Sequence, residues 1–327
     1  MTLTQLNAFV LVARLGSVRA AASVLGVSEP AVSQAITALR NYLGDQLITR
    51  SPNGMTLTPG GARLLSTASQ IVVLGAEAQA AVRAAQGAPE QLRIVATPTF
   101  AEFVAAPLME AFTRRFAGPV EVSTGVASSG EQAVLVANRL ADVAFGPMAN
   151  LGMATEAEAS LANAASMPVV SEPIFKYRMA AVAAGHAKLR GPARGWKWLV
   201  GPSGADPGSA TSRLLARLGV PESNIGVLPS QTAAWAAAAD GAGVAPAIEH
   251  LVSQQLRRGE LSLLDVPGLP TEECWYATLL ERDHRSTAAG ALRRFLGTPE
   301  AMHLMRSPAA GVPPSRFKPP VYVTIWS

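Results

Sequence analysis

Three glycines cut the first 44 residues into helix-length pieces, and this punctuation constrains the chain more than any other feature. Gly16, Gly26 and Gly44 each follow an apolar run of helical period. A glycine just past the last turn supplies the left-handed residue that ends a helix. Thr4, Ser17 and Ser28 stand where N-caps belong, because their hydroxyls can accept from amides of the first turn. Pro30 falls in the first turn of the third piece, where a missing N–H costs little. The spacing predicts a first helix burying Leu6, Phe9, Val10 and Ala13, a second over residues 18–25 and a third ending at Leu43. Residues 47–50 and 55–58 then flank Ser51-Pro52-Asn53-Gly54, two short extended runs around Asn-Gly that read as a hairpin.

The third piece carries the sharpest signal. At about 100° per residue, Val32, Ile36, Leu39 and Leu43 share one face, with Pro30, Ser33, Gln34, Thr37 and Asn41 opposite. An ordinary solvent face mixes charges, whereas this one is short and uncharged. Gln, Ser, Thr and Asn can meet base edges in a DNA major groove, and small residues allow close approach. A plain amphipathic helix whose polar face lacks charge is the other reading. The preceding helix and the tight turn at Gly26 favour a helix-turn-helix.

Thr58-Pro59 opens an Ala-rich helix that reaches about residue 85 and is broken by Gly87-Ala88-Pro89. Leu64, Ala68, Ile71, Val72, Gly75, Gln79 and Val82 form a small-residue stripe on it. The stripe suits a partner helix from a second copy, or packs on the chain's own body. From residue 90 strands alternate with helices: strands at 92–96, 120–124, 142–146, 177–183, 198–201, 226–228, 243–245 and 275–280, helices at 100–116, 131–140, 208–218, 232–239 and 287–296. That alternation predicts a parallel α/β sheet in two similar lobes. The expected organisation is α+β and multidomain: a winged helix-turn-helix over 1–60, a linker helix over 58–87, a two-lobed body over 90–300 and a tail over 301–327.

Composition fits this division. Residues 1–87 hold six bases against three acids, all the bases being Arg, while residues 88–300 hold 18 bases against 20 acids. A basic head on a slightly acidic body suits nucleic acid at one end. The single cysteine, Cys274, excludes an intramolecular disulfide and a Cys-based zinc site, and fits a reducing cytosol. The N-terminus does not read as a secretory signal, and no apolar run reaches membrane-spanning length. Gly-x-Ser-x-Gly, a Walker A loop and His-Glu-x-x-His are all missing, so an enzyme is not expected, nor any cofactor. The four histidines are scattered and read as exposed.

Ser17, Ala20-Ala21-Ala22, Leu25-Gly26-Val27-Ser28, Pro30-Ala31-Val32-Ser33, Ile36, Leu39, Leu43-Gly44, Leu47, Arg50 and Leu57-Thr58-Pro59-Gly60-Gly61 together resemble the LysR-type transcriptional regulator family. The resemblance covers the whole head, and the body is similar in length and lobe pattern. It implies a cytoplasmic homodimer or homotetramer that binds double-stranded DNA, with RNA polymerase as a further partner. It also implies a periplasmic-binding-protein-like (type 2) body that binds a small-molecule effector. Carried over by position, Ser28, Pro30, Ser33 and Gln34 match helix residues that touch DNA, Arg50 matches the wing arginine, and Thr58 matches the cap near a phosphate. Ser17, Arg19, Glu29, Thr37 and Asn53 complete the expected DNA-binding set. Glu29 stands where the family usually has Gln, which brings a carboxylate to the DNA and favours a cytosine amino group. Asn53 replaces a residue often basic, Ile48 a frequent Phe, and Arg40 a frequent Glu.

In an open parallel sheet, ligands sit beyond the strand C-termini, where helix N-termini point. Hydroxyl-rich turns fall there at Thr97-Pro98-Thr99, Ser128-Ser129-Gly130, Pro202-Ser203-Gly204 and Ser230-Gln231-Thr232. The expected effector-binding residues are Thr97, Thr99, Ser128, Ser129, Pro202, Ser203 and Thr232. Amides and hydroxyls favour a small anion such as a carboxylate, with Arg178 the base nearest to hand. The same hydroxyls could serve only as N-caps. The alternating stretch at residues 321–326 reads as an added edge strand or as a strap over the body. A solute-binding or enzyme body whose N-terminal helices serve only assembly is the alternative of a different class.

Overall fold

The computed structural model describes residues 1–51, 54–148, 168–187 and 189–307. The first helix, α1 (Leu3–Leu15), begins at Thr2 and not at Thr4. The Thr2 hydroxyl accepts from the Gln5 amide, and the Gln5 side chain accepts from the Thr2 amide, so a capping box extends the helix outward. Helices α2 (Val18–Leu25) and α3 (Glu29–Leu43) start from Ser17 and Ser28, whose hydroxyls accept from the Ala20 and Ala31 amides. Gly16, Gly26 and Gly44 close the three helices at φ of 64°, 65° and 68°. Leu6, Phe9, Val24, Val32, Ile36 and Leu39 fill the core they share. Leu43, expected inside, is 40% exposed. The chain turns away at Gly44, and Leu47 enters the core instead.

The wing is β1 (Ile48–Ser51) paired antiparallel with β2 (Gly54–Leu57), Ile48 opposite Leu57. The hairpin is tighter than expected because both outer residues serve as corners. Leu47 takes a left-handed φ of 60°, its amide donating to the Asp45 carboxylate at 2.6 Å. Thr58 caps α4 (Pro59–Ala85), accepting from the Gly61 amide at 2.9 Å. Gly61 is required, because a Cβ there would overlap the Leu47 carbonyl. The first half of α4 lies on α1: Leu65, Ala68 and Val72 join the head core, and Gly75 lies against Leu3. Its apolar stripe is therefore partly covered within the chain, while Leu74 and Val82 stay exposed.

In the body, β3 (Glu90–Ala96) runs parallel to β4 (Val120–Val126) and β5 (Val143–Gly146). The rest of the sheet is antiparallel, which corrects the all-parallel expectation. β6 (Val169–Ala184) and β11 (Thr271–Leu280) pair along their length, β11 beside β5 and β6 beside β9 (Ala245–Ile248) and β10 (Leu261–Leu263). These two long strands pass through both lobes, so the chain crosses between the lobes in opposite directions. A small parallel sheet of β7 (Trp198–Val200) and β8 (Ile225–Val227) belongs to the second lobe.

The first lobe adds α5 (Pro98–Phe100), which continues through a π-helical turn at Ala101–Ala105 into α6 (Ala106–Arg115), and α7 (Ser129–Ala137). The second adds α8 (Ala210–Leu218), α9 (Gln231–Ala239) and α10 (Ser253–Arg257). Helices α11 (Thr287–Leu296) and α12 (Pro299–Arg306) return to the first lobe. There Phe100 stacks on Phe145 at 4.6 Å with Trp275 edge-on at 5.1 Å. On α7, Leu135 and Val136 join the apolar cluster that contains α1, so head and first lobe share a core. No helix among the described residues is long and apolar enough to cross a membrane. The stretch at 321–326 lies outside the described residues.

Candidate nucleic-acid interface and interlobe cleft

The outer face of α3 is presented as its periodicity predicts. Ser28, Glu29, Pro30, Ser33, Gln34, Thr37 and Asn41 are all exposed, opposite buried Val32, Ile36 and Leu39. Among them Thr37 is committed locally, its hydroxyl donating to the Ser33 carbonyl at 2.9 Å. A groove of ≈ 450 Å³ separates α3 from the wing, lined by Ser33, Thr37, Arg40, Gln46 and Thr49 among others. The Arg40 guanidinium spans it to the Ile48 carbonyl at 2.8 Å and ties the helix to β1. Arg19 is exposed at the start of α2, beside half-buried Ser17. Asn53 and the Arg50 side chain lie outside the described residues.

Between the lobes is a cavity of ≈ 40 Å³, lined by Thr97, Thr99, Tyr177, Ser203, Thr211, Gln231, Trp235 and Trp275 among others. Its polar side chains carry hydroxyls, one amide and two indoles, and no charged side chain lines it among the described residues. Burial raises the Tyr177 phenol well above its ordinary value, so it stays protonated. The Thr99 and Ser203 hydroxyls meet across the cleft at 3.0 Å. Gln231 donates to the Pro246 carbonyl at 3.0 Å, as does the Trp235 indole at 2.9 Å. Outside this cavity, Ser128, Ser129, Pro202, Asp206 and Arg213 line a wider groove of ≈ 640 Å³ at the cleft mouth.

A three-helix head with a wing, joined by a long helix to a two-lobed body, matches two family models. The description "Bacterial regulatory helix-turn-helix protein, lysR family" covers residues 3–62, and "LysR substrate binding domain" covers residues 85–298. The chain belongs to the LysR family of transcriptional regulators. An uncharacterized HTH-type transcriptional regulator of Mycobacterium tuberculosis is 35% identical over the full length of both chains. The HTH-type transcriptional regulator CfxR of Cupriavidus necator is 28% identical over 90% of this chain and 91% of its own. Among solved structures, a full-length variant of AphB superposes with a TM-score of 0.54 at 16% identity, covering 90% of this chain and 98% of its own.

Within this LysR-type regulator, the structure brings together some expected effector residues and separates others. Thr97, Thr99 and Ser203 line the cavity; Ser128, Ser129 and Pro202 line its mouth. The Ser128 hydroxyl is held by Glu131 at 2.7 Å in a capping box of its own helix. Thr232 donates to Glu102, at the far side of the cleft. Arg178 does not reach the cavity: it is 58% exposed and pairs with Glu249 at 3.3 Å. His250, expected to be exposed, is half-buried, its ring edge-on to Phe175 at 5.2 Å.

Glu102 and Asp206 are outside the expected set, and Gln231 enters it only as the middle of the turn Ser230-Gln231-Thr232. Glu102 carried a usable signal, as the one charge in the apolar run from Phe100 to Leu108. Asp206 and Gln231 sit in ordinary loop and capping contexts, and only tertiary packing gives them their neighbours.

Proposed function

We propose that this regulator lays the outer face of α3 in the major groove, with Ser33 and Gln34 as the principal base-reading residues. Ser28, Glu29, Pro30 and Thr37 line the same contact, with Ser17, Arg19, Arg50, Asn53 and Thr58 toward the backbone. The observation that carries this reading is an exposed, uncharged helix face from Pro30 to Asn41, with Arg40 beside it turned to the wing. Such a face offers hydrogen-bonding groups that discriminate bases, and leaves phosphate attraction to residues around it. The exposed Leu74 and Val82 on α4 support pairing of two copies through the linker helix.

The effector sits between the lobes and is a small anion, a carboxylate being the best match. Thr97, Thr99 and Ser203 supply hydroxyls there, and adjacent helix N-termini already hold carboxylates of the chain itself. The body serves sensing and not catalysis, and RNA polymerase is the downstream partner. Selection of binding sites from random DNA, with footprinting in the presence and absence of candidate metabolites, tests the reading. Enrichment of one motif, lost in Ser33→Ala and Gln34→Ala with melting and dimerisation intact, supports it. Absence of any enriched motif sinks it.

A further inference from the structure

Two carboxylates, one from each lobe, reach across the interlobe cleft. Glu102, on the π-helical turn of the first lobe, faces the first turn of α9 in the second. Its Oε2 accepts from the Gln231 amide at 3.0 Å; its Oε1 accepts from the Thr232 amide at 2.9 Å and the Thr232 hydroxyl at 2.5 Å. Asp206 reciprocates from the second lobe onto the first turn of α7. Its Oδ2 accepts from the Ser129 amide at 2.8 Å, and the Ser129 hydroxyl donates to both carboxylate oxygens at 2.7–2.8 Å. Each lobe thus lends an anion to a helix N-terminus of the other.

These contacts are additional to ordinary capping. Helix α9 already has the Ser230 hydroxyl on its Ala233 amide, and α7 has the Ser128–Glu131 box. Glu102 and Asp206 take first-turn amides that a cap from the helix's own sequence leaves to solvent. Glu102 is 8% exposed, and among the described residues no base pairs with it. Its charge is compensated by donors across the cleft, with the macrodipole of α9 adding to them. Separating the lobes would leave a buried carboxylate to be rehydrated. The Thr99–Ser203 contact and the stack of Phe103 on Trp235 at 5.0 Å also join the two lobes. The remaining ≈ 40 Å³ holds no more than a few waters, so a metabolite enters only when the ties release.

We propose that Glu102 and Asp206 form a reciprocal interlobe latch, which holds the cleft closed and which an entering effector must release. The inference rests on the cleft being the effector site, but its test needs neither effector nor DNA. Substituting Glu102→Gln puts an NH2 against an amide N–H, and Asp206→Asn does the same at α7. Hydrogen exchange of the full-length protein is compared for the parent, Glu102→Gln and Asp206→Asn, with thermal melts confirming that each folds. A latch closes or opens as one unit. Releasing Glu102 therefore raises exchange about tenfold or more at Ser129, whose own partner Asp206 is intact. Asp206→Asn does likewise at Gln231 and Thr232, while β3 and β5 stay unchanged. If each substitution affects only the amides its own carboxylate holds, or none, the two are independent caps and the latch is wrong. Should one variant fail to fold, the other carries the same cross-cleft readout.

Discussion

The Thr58 hydroxyl donates to the Asp45 carboxylate at 2.7 Å while accepting from the Gly61 amide at 2.9 Å, so one side chain couples the end of α3 to the start of the linker helix. Asp45 also takes the Leu47 amide, which sets the left-handed corner into the wing. That amide, and then the Thr58 hydroxyl, hold the Asp45 carboxyl below its ordinary value of 3.8. A carboxyl lowered in the fold stabilises above its unfolded value, and loses that contribution as pH falls through the folded one. Asp45→Asn is expected to lower the melting temperature at pH 7, and its gap to the parent to begin narrowing only as pH falls below about 4, toward the lowered folded value. Thr58→Val, which also removes the cap, costs about 1 kcal/mol. Melts across pH 3 to 7 check both, and a gap no smaller at pH 3 than at pH 7 would contradict the assignment.

The head was legible because its signals are local: Ser17, Ser28, Gly26 and Gly44 act on their own helices whatever surrounds them. Thr58 was legible as a cap but not as a partner of Asp45. With its proton given to a carboxylate, the hydroxyl is less available to a phosphate than its position suggested. The body shows the opposite balance. Its strands and helices could be counted, yet β6 and β11 were expected to be far shorter, because nothing local says that one strand serves two lobes. Their sequence context marks Ser129 and Thr232 as donors for an anion. Both do hold a carboxylate, from Asp206 and Glu102, which only the approach of the lobes could reveal.

Gln34 and Thr37 offer a graded test of the α3 face. Gln34 is exposed, whereas the Thr37 hydroxyl is spent on the Ser33 carbonyl. Gln34→Ala should cost about 1–3 kcal/mol of specific binding, the range of a bidentate base contact, with little change in melting. Thr37→Ala should cost clearly less. Fluorescence anisotropy on matched specific and scrambled duplexes reads the difference, and the reverse ranking would exclude Gln34 as the base reader.

His250 supplies a pH dependence in the body, separate from the head. Burial pushes its imidazole down to about 4, Arg306 adding in the same direction against the Met305 carbonyl at 3.1 Å. Between about pH 6.5 and 4 the unfolded chain takes up a proton that the folded one refuses, so stability falls as pH drops through that window. His250→Phe keeps the ring against Phe175 and Trp275 and removes the titration. The variant should lose less melting temperature than the parent between pH 7 and 5. Parallel curves for the two would show that His250 titrates normally.

Salt dependence counts the phosphates the head engages. Of its bases, Arg14 is largely buried and bonded to Ser69, and Arg40 is committed to the Ile48 carbonyl. Arg19 and Arg63 are exposed, and Arg50 is the wing candidate. With Arg19 and Arg50 each neutralising one phosphate, about two per subunit, a dimer should show a slope of log affinity against log salt near −4. Arg19→Ala should flatten that slope by about 2 per dimer, while weakening specific and scrambled duplexes alike. A parent slope steeper than about −8 would mean that bases outside the head also reach the DNA, and the basic tail beyond residue 307 would then be the first place to look.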